Sequence, residues 1–208
     1  MGNTIRGPIR HSQTPRLNRA FPASRLIIGA EYRMLRTNKG YVMSDTEARL
    51  ARLEAQLQAL QDHVAVCQVI ARYGPQADTA DTYERGLKVG ALWAEDGVYE
   101  LAEGWAGRGP EGIADLLDND VHRALVRDGA AHIPSAPHVT VDGDRATAVN
   151  YSRVYKHVDG AFTVWRVSVN HWTLGRTEDG WKVLRRTNRL LNGSDEARAV
   201  LRTIDQAA

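Results

Sequence analysis

The chain has 208 residues, of which 43% are hydrophobic and 25% charged, and its 27 basic and 25 acidic residues nearly balance. These values are ordinary for a soluble globular protein, and no apolar run approaches the roughly twenty residues of a transmembrane helix. Because Cys67 is the only cysteine, an intramolecular disulfide is excluded and a zinc–thiolate site is disfavoured. We therefore expect one cytoplasmic domain that does not associate with membranes.

The first 42 residues differ from the rest of the chain in charge. They contain eight basic residues and one acidic residue, so residues 43–208 are mildly acidic. Three prolines interrupt this segment, and it shows neither a helical nor a strand period, so it cannot offset the entropy of ordering. We predict a basic, disordered and dispensable extension over 1–42 and a folded domain over 43–208. Nucleic-acid binding by the extension is the less favoured alternative.

Helices are predicted in the first half of the domain. Ser44 or Asp45 caps the first helix, which should run to about Tyr73 and bend or end at Gly74-Pro75. Its apolar residues recur every three or four positions; we call this set the leucine stripe, and it consists of Leu50, Leu53, Leu57, Leu60, Val64 and Cys67. Further helices are predicted over 82–95, 110–126 and 195–205.

The second half of the domain has the period of two that is typical of strands. Asp-Gly turns separate most of the apolar segments, as in β-hairpins. Strands are predicted over 98–101, 105–107, 131–141, 145–156, 161–176 and 181–191. Helices followed by such a meander indicate an α+β domain, in which helices pack on the concave face of a curved antiparallel sheet.

Five segments in this order resemble the nuclear transport factor 2-like superfamily, and within it the SnoaL-like polyketide cyclases, dehydratases and ketosteroid isomerase-like proteins. They read VIARY followed by Asp78, ALWAEDGVY (91–99), GPEGI (109–113), AHI through VTVDGD (131–144) and GWKV (180–183). The resemblance covers residues 46–191. It implies a cone-shaped sheet around an apolar cavity, in which many members use a His–Asp pair, often with a tyrosine.

The resemblance assigns the catalytic roles to His132, Asp78 and Tyr73. Histidine ionises near neutral pH, which suits it to removing a proton next to a carbonyl. A carboxylate on its other ring nitrogen fixes the tautomer, and a phenol can stabilise the developing oxyanion. The segment after Asp78 is about four residues longer than the group leads us to expect, so Asp81 remains an alternative carboxylate.

Substrate contacts are predicted for Trp93, Trp165 and His171, because aromatic residues build the cavity of this fold. His171 alternates with Trp165 on one face of its strand, whereas Asn170 and Arg166 lie on the other. The sequence leaves open which face points inward. Three arginines of the last strand could hold an acidic substrate group, although we expect at least two of them on the outer face: Arg185, Arg186 and Arg189.

Two functions fit these features. The favoured one is a cofactor-independent dehydratase, isomerase or cyclase that acts by His–Asp acid–base chemistry on a small apolar polyketide-, steroid- or terpenoid-like substrate. The alternative is a non-catalytic small-molecule-binding or assembly module of the same fold. The sequence contains no glycine-rich nucleotide motif and no metal motif, so we expect neither a cofactor nor a metal. We also expect a homodimer and no nucleic-acid partner.

Overall fold

The computed structural model describes residues 44–102 and 104–206, and the extension predicted over 1–42 lies outside this range. The helices are α1 (Asp45–Ala77), α2 (Tyr83–Gly90), α3 (Gly109–Leu117), α4 (Asp120–Asp128) and α5 (Asp195–Arg202), which a 3-10 turn follows (Thr203–Gln206). The strands are β1 (Trp93–Ala102), β2 (Trp105–Arg108), β3 (Ala130–Pro134), β4 (His138–Asp142), β5 (Arg145–Val158), β6 (Ala161–Thr177) and β7 (Gly180–Leu190).

The strands form one curved, unclosed sheet in the order β2-β1-β7-β6-β5-β3, and β4 also pairs with β5. Each pairing is antiparallel except that of β1 with β7, which is parallel. The helices and sheet bury a common apolar core that includes Val66, Ile70, Val89, Ile113, Leu174 and Val183. Each such side chain stabilises the fold by about 1.5–3 kcal/mol. The predicted α+β class and curved sheet are confirmed.

Only the second half of α1 packs against this core. Its buried apolar residues include Val66, Val69, Ile70 and Tyr73. The leucine stripe lies on a different face, and its members from Leu50 to Val64 are each at least 50% exposed. The helix therefore projects an apolar face that the described part of the chain does not cover.

The segment predicted as a helix over 82–95 ends earlier than expected. Helix α2 stops at Gly90, and residues from Trp93 onward join strand β1. The Val183 amide donates to the Leu92 carbonyl at 2.9 Å, so pairing with β7 replaces the helical hydrogen bonds. The prediction of helix to residue 95 was wrong because sheet pairing overrode local helix propensity.

Two other predicted elements are each divided in two. The helix predicted over 110–126 breaks after Leu117, and Asn119 caps α4 by accepting a hydrogen bond from the His122 amide at 3.0 Å. The strand predicted over 131–141 breaks between β3 and β4, where Pro134 and Pro137 cannot donate to a strand ladder. Both breaks affect the site, because α4 carries His122 and β3 carries His132.

Candidate active site

His132 and Asp78 are in direct contact although 54 residues separate them in the sequence. Oδ1 of Asp78 lies 2.6 Å from Nδ1 of His132. The His132 backbone amide also donates to both carboxylate oxygens, at 3.1 and 2.9 Å. A carboxylate only accepts hydrogen bonds, so Nδ1 carries the proton. Nε2 of His132 is then the ring nitrogen left for a substrate.

The end of α1 places Asp78 beside His132. The helix was expected to end or bend at Gly74-Pro75, but it continues through Pro75 to Ala77, and Asp78 is its C-cap. The Asp78 amide donates to the Gly74 carbonyl at 2.9 Å, which closes the last turn. A Cβ atom on Gly74 would lie 2.2 Å from the His132 carbonyl oxygen. Glycine is therefore required where α1 meets β3.

Tyr73 is the centre of an aromatic cluster one turn before Asp78. Its ring meets those of Trp93, Tyr99, Trp172 and His132 edge-to-face, with centroids 5.9–6.3 Å apart. Edge-to-face contacts at these distances are favourable and orient the rings. Tyr73 is only 6% exposed. Because its ring is packed on several sides, it is fixed next to the His132 imidazole.

His122 brings a second imidazole to the site from α4. Its ring centroid lies 6.1 Å from that of His132, and its buried Nε2 has no hydrogen-bond partner in the described structure. Burial lowers the pKa of His122 and the neighbouring His132 lowers it further, while the Ala77 and Ala80 carbonyls act in the opposite direction. The lowered pKa favours the neutral imidazole, and Nε2 is unpaired among the described residues.

A polar network occupies the concave face of β6 and β7. Nε of Arg186 and Nδ2 of Asn188 both donate to Oδ1 of Asn170, at 3.0 and 2.8 Å. Arg166 donates from Nη2 to Oδ1 of Asn188 at 2.8 Å and from Nε to Oγ of Ser168 at 3.0 Å. Burial lowers the pKa of Arg166, and the Arg186 charge adds to this effect. The network presents two guanidinium groups to the interior.

These groups surround a cavity of about 290 Å³, which is at the lower end of the range for small-molecule sites. Aliphatic side chains of α3 and α4, the side chains of β5, and Tyr73, Tyr99 and Trp172 of the aromatic cluster form most of its wall. The polar groups at its surface include those of Tyr73, His122, His132, Arg166, Arg186 and Asn188. The arrangement combines an apolar enclosure with a few convergent polar groups.

The comparisons with known proteins agree with this architecture. A family model described as a SnoaL-like domain matches residues 58–187, more than half of the chain. The chain belongs to the SnoaL-like family. No significant match was found among curated proteins.

Solved structures similar to this SnoaL-like protein include an NTF2-like protein with a cystatin-like fold from Novosphingobium aromaticivorans. The two share 45% sequence identity with a TM-score of 0.69, over 73% of this chain and 96% of the other. ActVI-ORFA from Streptomyces coelicolor is 22% identical with a TM-score of 0.51, over 60% and 94% of the two chains. A protein of unknown function from Mycobacterium tuberculosis is 20% identical with a TM-score of 0.52, over 69% and 92%. The latter two similarities concern the fold alone.

The sequence-predicted site residues of this SnoaL-like domain divide into two groups. The structure brings His132, Asp78 and Tyr73 together, and Trp165 lines the cavity. A bulge pairs Tyr155 with Val164 but Val154 with Arg166, which leaves Trp165 as an extra residue beside Arg166. The bulge explains why two consecutive residues of β6 reach the same cavity.

The other predicted residues lie away from the cavity wall. Trp93 is 2% exposed and packs behind Tyr73 and Tyr99. His171 lies on the opposite face of β6 from Asn170 and Trp172 and does not line the cavity. Asp81, the alternative carboxylate, is exposed and pairs with Arg85 at 3.3 Å.

Four polar side chains at or beside the cavity of this SnoaL-like domain were not assigned roles from the sequence: His122, Arg166, Asn170 and Asn188. Arg186 was named only as one of three arginines. The alternation of Arg166, Ser168 and Asn170 was visible in the sequence, but alternation does not reveal which face is inward. For His122 the capping signal at Asn119 could have indicated a new helix.

No group of three or more His, Cys, Asp or Glu side chains within residues 44–102 and 104–206 could hold a metal ion. No helix in that same part of the chain is long and apolar enough to cross a membrane.

Proposed function

We propose that this SnoaL-like protein is a cofactor-independent lyase or isomerase that performs acid–base chemistry on a small apolar substrate. A dehydratase, an isomerase and a cyclase of polyketide-, steroid- or terpenoid-like molecules share this chemistry. The proposal rests on one observation. His132 lines an apolar cavity, and Oδ1 of Asp78 lies 2.6 Å from Nδ1 of His132. A site that only binds apolar molecules does not require such a pair.

In the proposed first step, Nε2 of His132 takes a proton from a carbon next to a substrate carbonyl. The electron pair of the C–H bond moves into the carbonyl, which becomes an enolate, and Asp78 stabilises the imidazolium. Tyr73 is the candidate hydrogen-bond donor to the enolate oxygen. Return of the proton to another carbon gives isomerisation. Its delivery to a β-hydroxyl group expels water and gives elimination.

His122 has a supporting role in this proposal. Burial and the neighbouring His132 favour the neutral form of His122, and a neutral imidazole can accept a hydrogen bond at an unprotonated nitrogen such as the unpaired Nε2. A substrate hydroxyl that donates to this nitrogen would be held beside His132, since the two rings are 6.1 Å apart. His122 would then position the leaving or enolising group of the substrate relative to the base, His132.

Ring opening of 5-nitrobenzisoxazole tests the proposal without knowledge of the natural substrate. A base in an apolar cavity removes the ring C–H proton, the N–O bond breaks, and a coloured cyanophenolate forms. We expect saturable turnover that falls by roughly 10²-fold or more in His132→Gln. His138→Gln, at an exposed position, is the matched control and should retain the rate. Equal rates for wild type and His132→Gln would refute the proposal and favour the binding-module alternative.

We also propose that the protein is a homodimer. Support comes from the leucine stripe, whose exposed apolar side chains run along the N-terminal half of α1. Exposed apolar stripes of this length are typical of interaction surfaces. A cytoplasmic location, expected from the composition, remains a prediction.

A further inference from the structure

We propose that the cavity receives an apolar molecule bearing a carboxylate group, and that Arg186 binds this carboxylate. The inference deepens the proposed function and rests on it in one respect, namely that the bound acid is the substrate of His132. The binding of an acid at Arg186 can be measured separately from any turnover.

Arg186 is a buried cation that pairs with no carboxylate among the described residues. Its side chain is 3% exposed and lines the cavity, and its Nη1 has no hydrogen-bond partner in the described structure. None of the ion pairs among the described residues includes it, whereas Arg185 and Arg189 on the other face of β7 both pair with Glu100. A buried charge is stabilised by a partner of opposite sign, and the cavity that Arg186 lines is where such a partner would bind.

Arg186 is held in a fixed orientation before any ligand binds. Its guanidinium carbon lies 3.9 Å from the ring centroid of Tyr73 and 4.4 Å from those of Tyr99 and Trp172. Nε donates to Asn170, which is itself fully buried. The aromatic rings and Asn170 therefore fix the plane of the guanidinium. A planar donor group fixed in this way matches the geometry of a carboxylate.

The charge balance of the cavity also favours an acid. Arg166 adds a second guanidinium, whose partners are the neutral groups of Ser168, Asn188 and the Leu101 carbonyl. Among the described residues, the carboxylate nearest to this site is that of Asp78, and it is occupied by His132. The described groups at the cavity thus carry more positive than negative charge, and a neutral ligand would leave the excess uncompensated.

The cavity volume limits the size of the acid. The Tyr73 ring contacts both the His132 imidazole, 6.3 Å away between centroids, and the Arg186 guanidinium. Both groups contact the same ring, so one ligand in a cavity of about 290 Å³ can reach both. A cavity of this volume favours a compact mono- or bicyclic carboxylic acid.

Isothermal titration with matched acids and amides tests the inference. The probes are benzoate, 2-naphthoate and 1-naphthylacetate, each paired with its primary amide, which has nearly the same shape but no charge. We expect wild type to bind at least one acid at least about tenfold more tightly than its amide. Arg186→Met should abolish this preference, and Arg186→Lys should retain part of it. Arg185→Met loses the same charge on the other face of β7 and should behave as wild type.

Three results would overturn the inference: equal binding of acid and amide by wild type, binding of none of the probes, or an unchanged preference in Arg186→Met. If Arg186→Met does not fold, the wild-type preference and its reduction in Arg186→Lys decide the question. His132→Gln should keep the preference for the acid. A retained preference together with absent turnover of 5-nitrobenzisoxazole would therefore refute the proposed function and leave the carboxylate site standing.

Discussion

A Cβ atom on Gly74 would lie 2.2 Å from the carbonyl oxygen of His132. The contact joins the last turn of α1 to β3 at the point where Asp78 meets His132. The pair thus depends on a backbone approach that any side chain at position 74 would prevent. Formation of the site is coupled to the packing of α1 on the sheet.

Gly74→Ala should destabilise the fold and separate the pair. The added methyl group meets backbone rather than a flexible side chain, so α1 or β3 must shift, at a cost of about 1–3 kcal/mol. Urea unfolding measures the loss, and 5-nitrobenzisoxazole turnover should fall with it. Gly112→Ala is the control, because its Cβ would make only ordinary contacts at 3.4 Å or more. Equal stability of Gly74→Ala and wild type would contradict the tight contact.

Asp78→Asn should lower turnover steeply while the protein still folds and binds ligands. An amide can donate to Nδ1 and so favour the wrong tautomer, and it cannot stabilise the imidazolium. We expect a rate loss of roughly 10²–10⁴-fold with little change in KM. Asp81→Asn, at an exposed carboxylate paired with Arg85, should retain the wild-type rate. The opposite pattern for the two variants would assign the catalytic carboxylate to Asp81.

The sequence allowed the fold class and the His132–Asp78 pair to be predicted because both depend on segment order and on family motifs. The spacing of Asp78 from Tyr73 locates the carboxylate one turn beyond the buried tyrosine. The exact helix end was missed, because Pro75 normally ends a helix whereas here packing of Gly74 against β3 maintains one more turn.

The composition of the cavity wall could be predicted only in part. Trp165 and His171 were predicted at the cavity because they alternate on one strand face, but only Trp165 reaches it, through a bulge that no alternation pattern reveals. Arg186 and Arg185 are neighbours with opposite orientations, so the inward residue depends on the register of β7 against β1 and β6. Tertiary pairing, rather than local sequence, decided both positions.

Asp62 should make the stability of the fold depend on acidic pH. It contacts Nη2 of Arg176 at 2.6 Å and Nε1 of Trp181 at 3.2 Å. The Arg176 hydrogen bond is the main cause that lowers the pKa of Asp62 from 3.8 to about 2, although burial opposes it. The folded state therefore binds this proton more weakly than the unfolded chain. The resulting stabilisation is present above about pH 4 and is lost as the pH falls towards 2.

Asp62→Asn should accordingly reduce the free energy of unfolding at pH 7 by an amount on the order of 2 kcal/mol. The difference from wild type should shrink as the pH approaches 2, as measured by urea unfolding at several pH values. Asp144→Asn is the control, since Asp144 contacts the same arginine at 2.8 Å but is 81% exposed. Its effect should stay below about 1 kcal/mol. A pH-independent difference for Asp62→Asn would contradict this account.

His122 should make the fold less stable in mild acid. Burial lowers the pKa of His122 and of His171 below 6.5, so below that pH the unfolded chain binds more protons than the folded state. Stability is therefore complete above about pH 6.5 and declines as the pH falls below it. His122→Asn should show a smaller loss between pH 7.5 and 5.5 in urea unfolding. His138→Asn should follow wild type, and an unchanged pH slope in His122→Asn would assign the effect to other groups.

Charges on the leucine stripe should dissociate the proposed dimer. Leu53 and Leu60 are 53% and 60% exposed on the same α1 face, so lysine at both positions should not disturb the core of one protomer. In a dimer that buries this face, two unpaired cations per protomer would be desolvated, and the dissociation constant should rise at least about tenfold. Analytical ultracentrifugation of wild type and L53K/L60K measures this change. Ile204→Lys, at an exposed apolar residue outside α1, should sediment as wild type does, and a monomeric wild type would rule out the dimer.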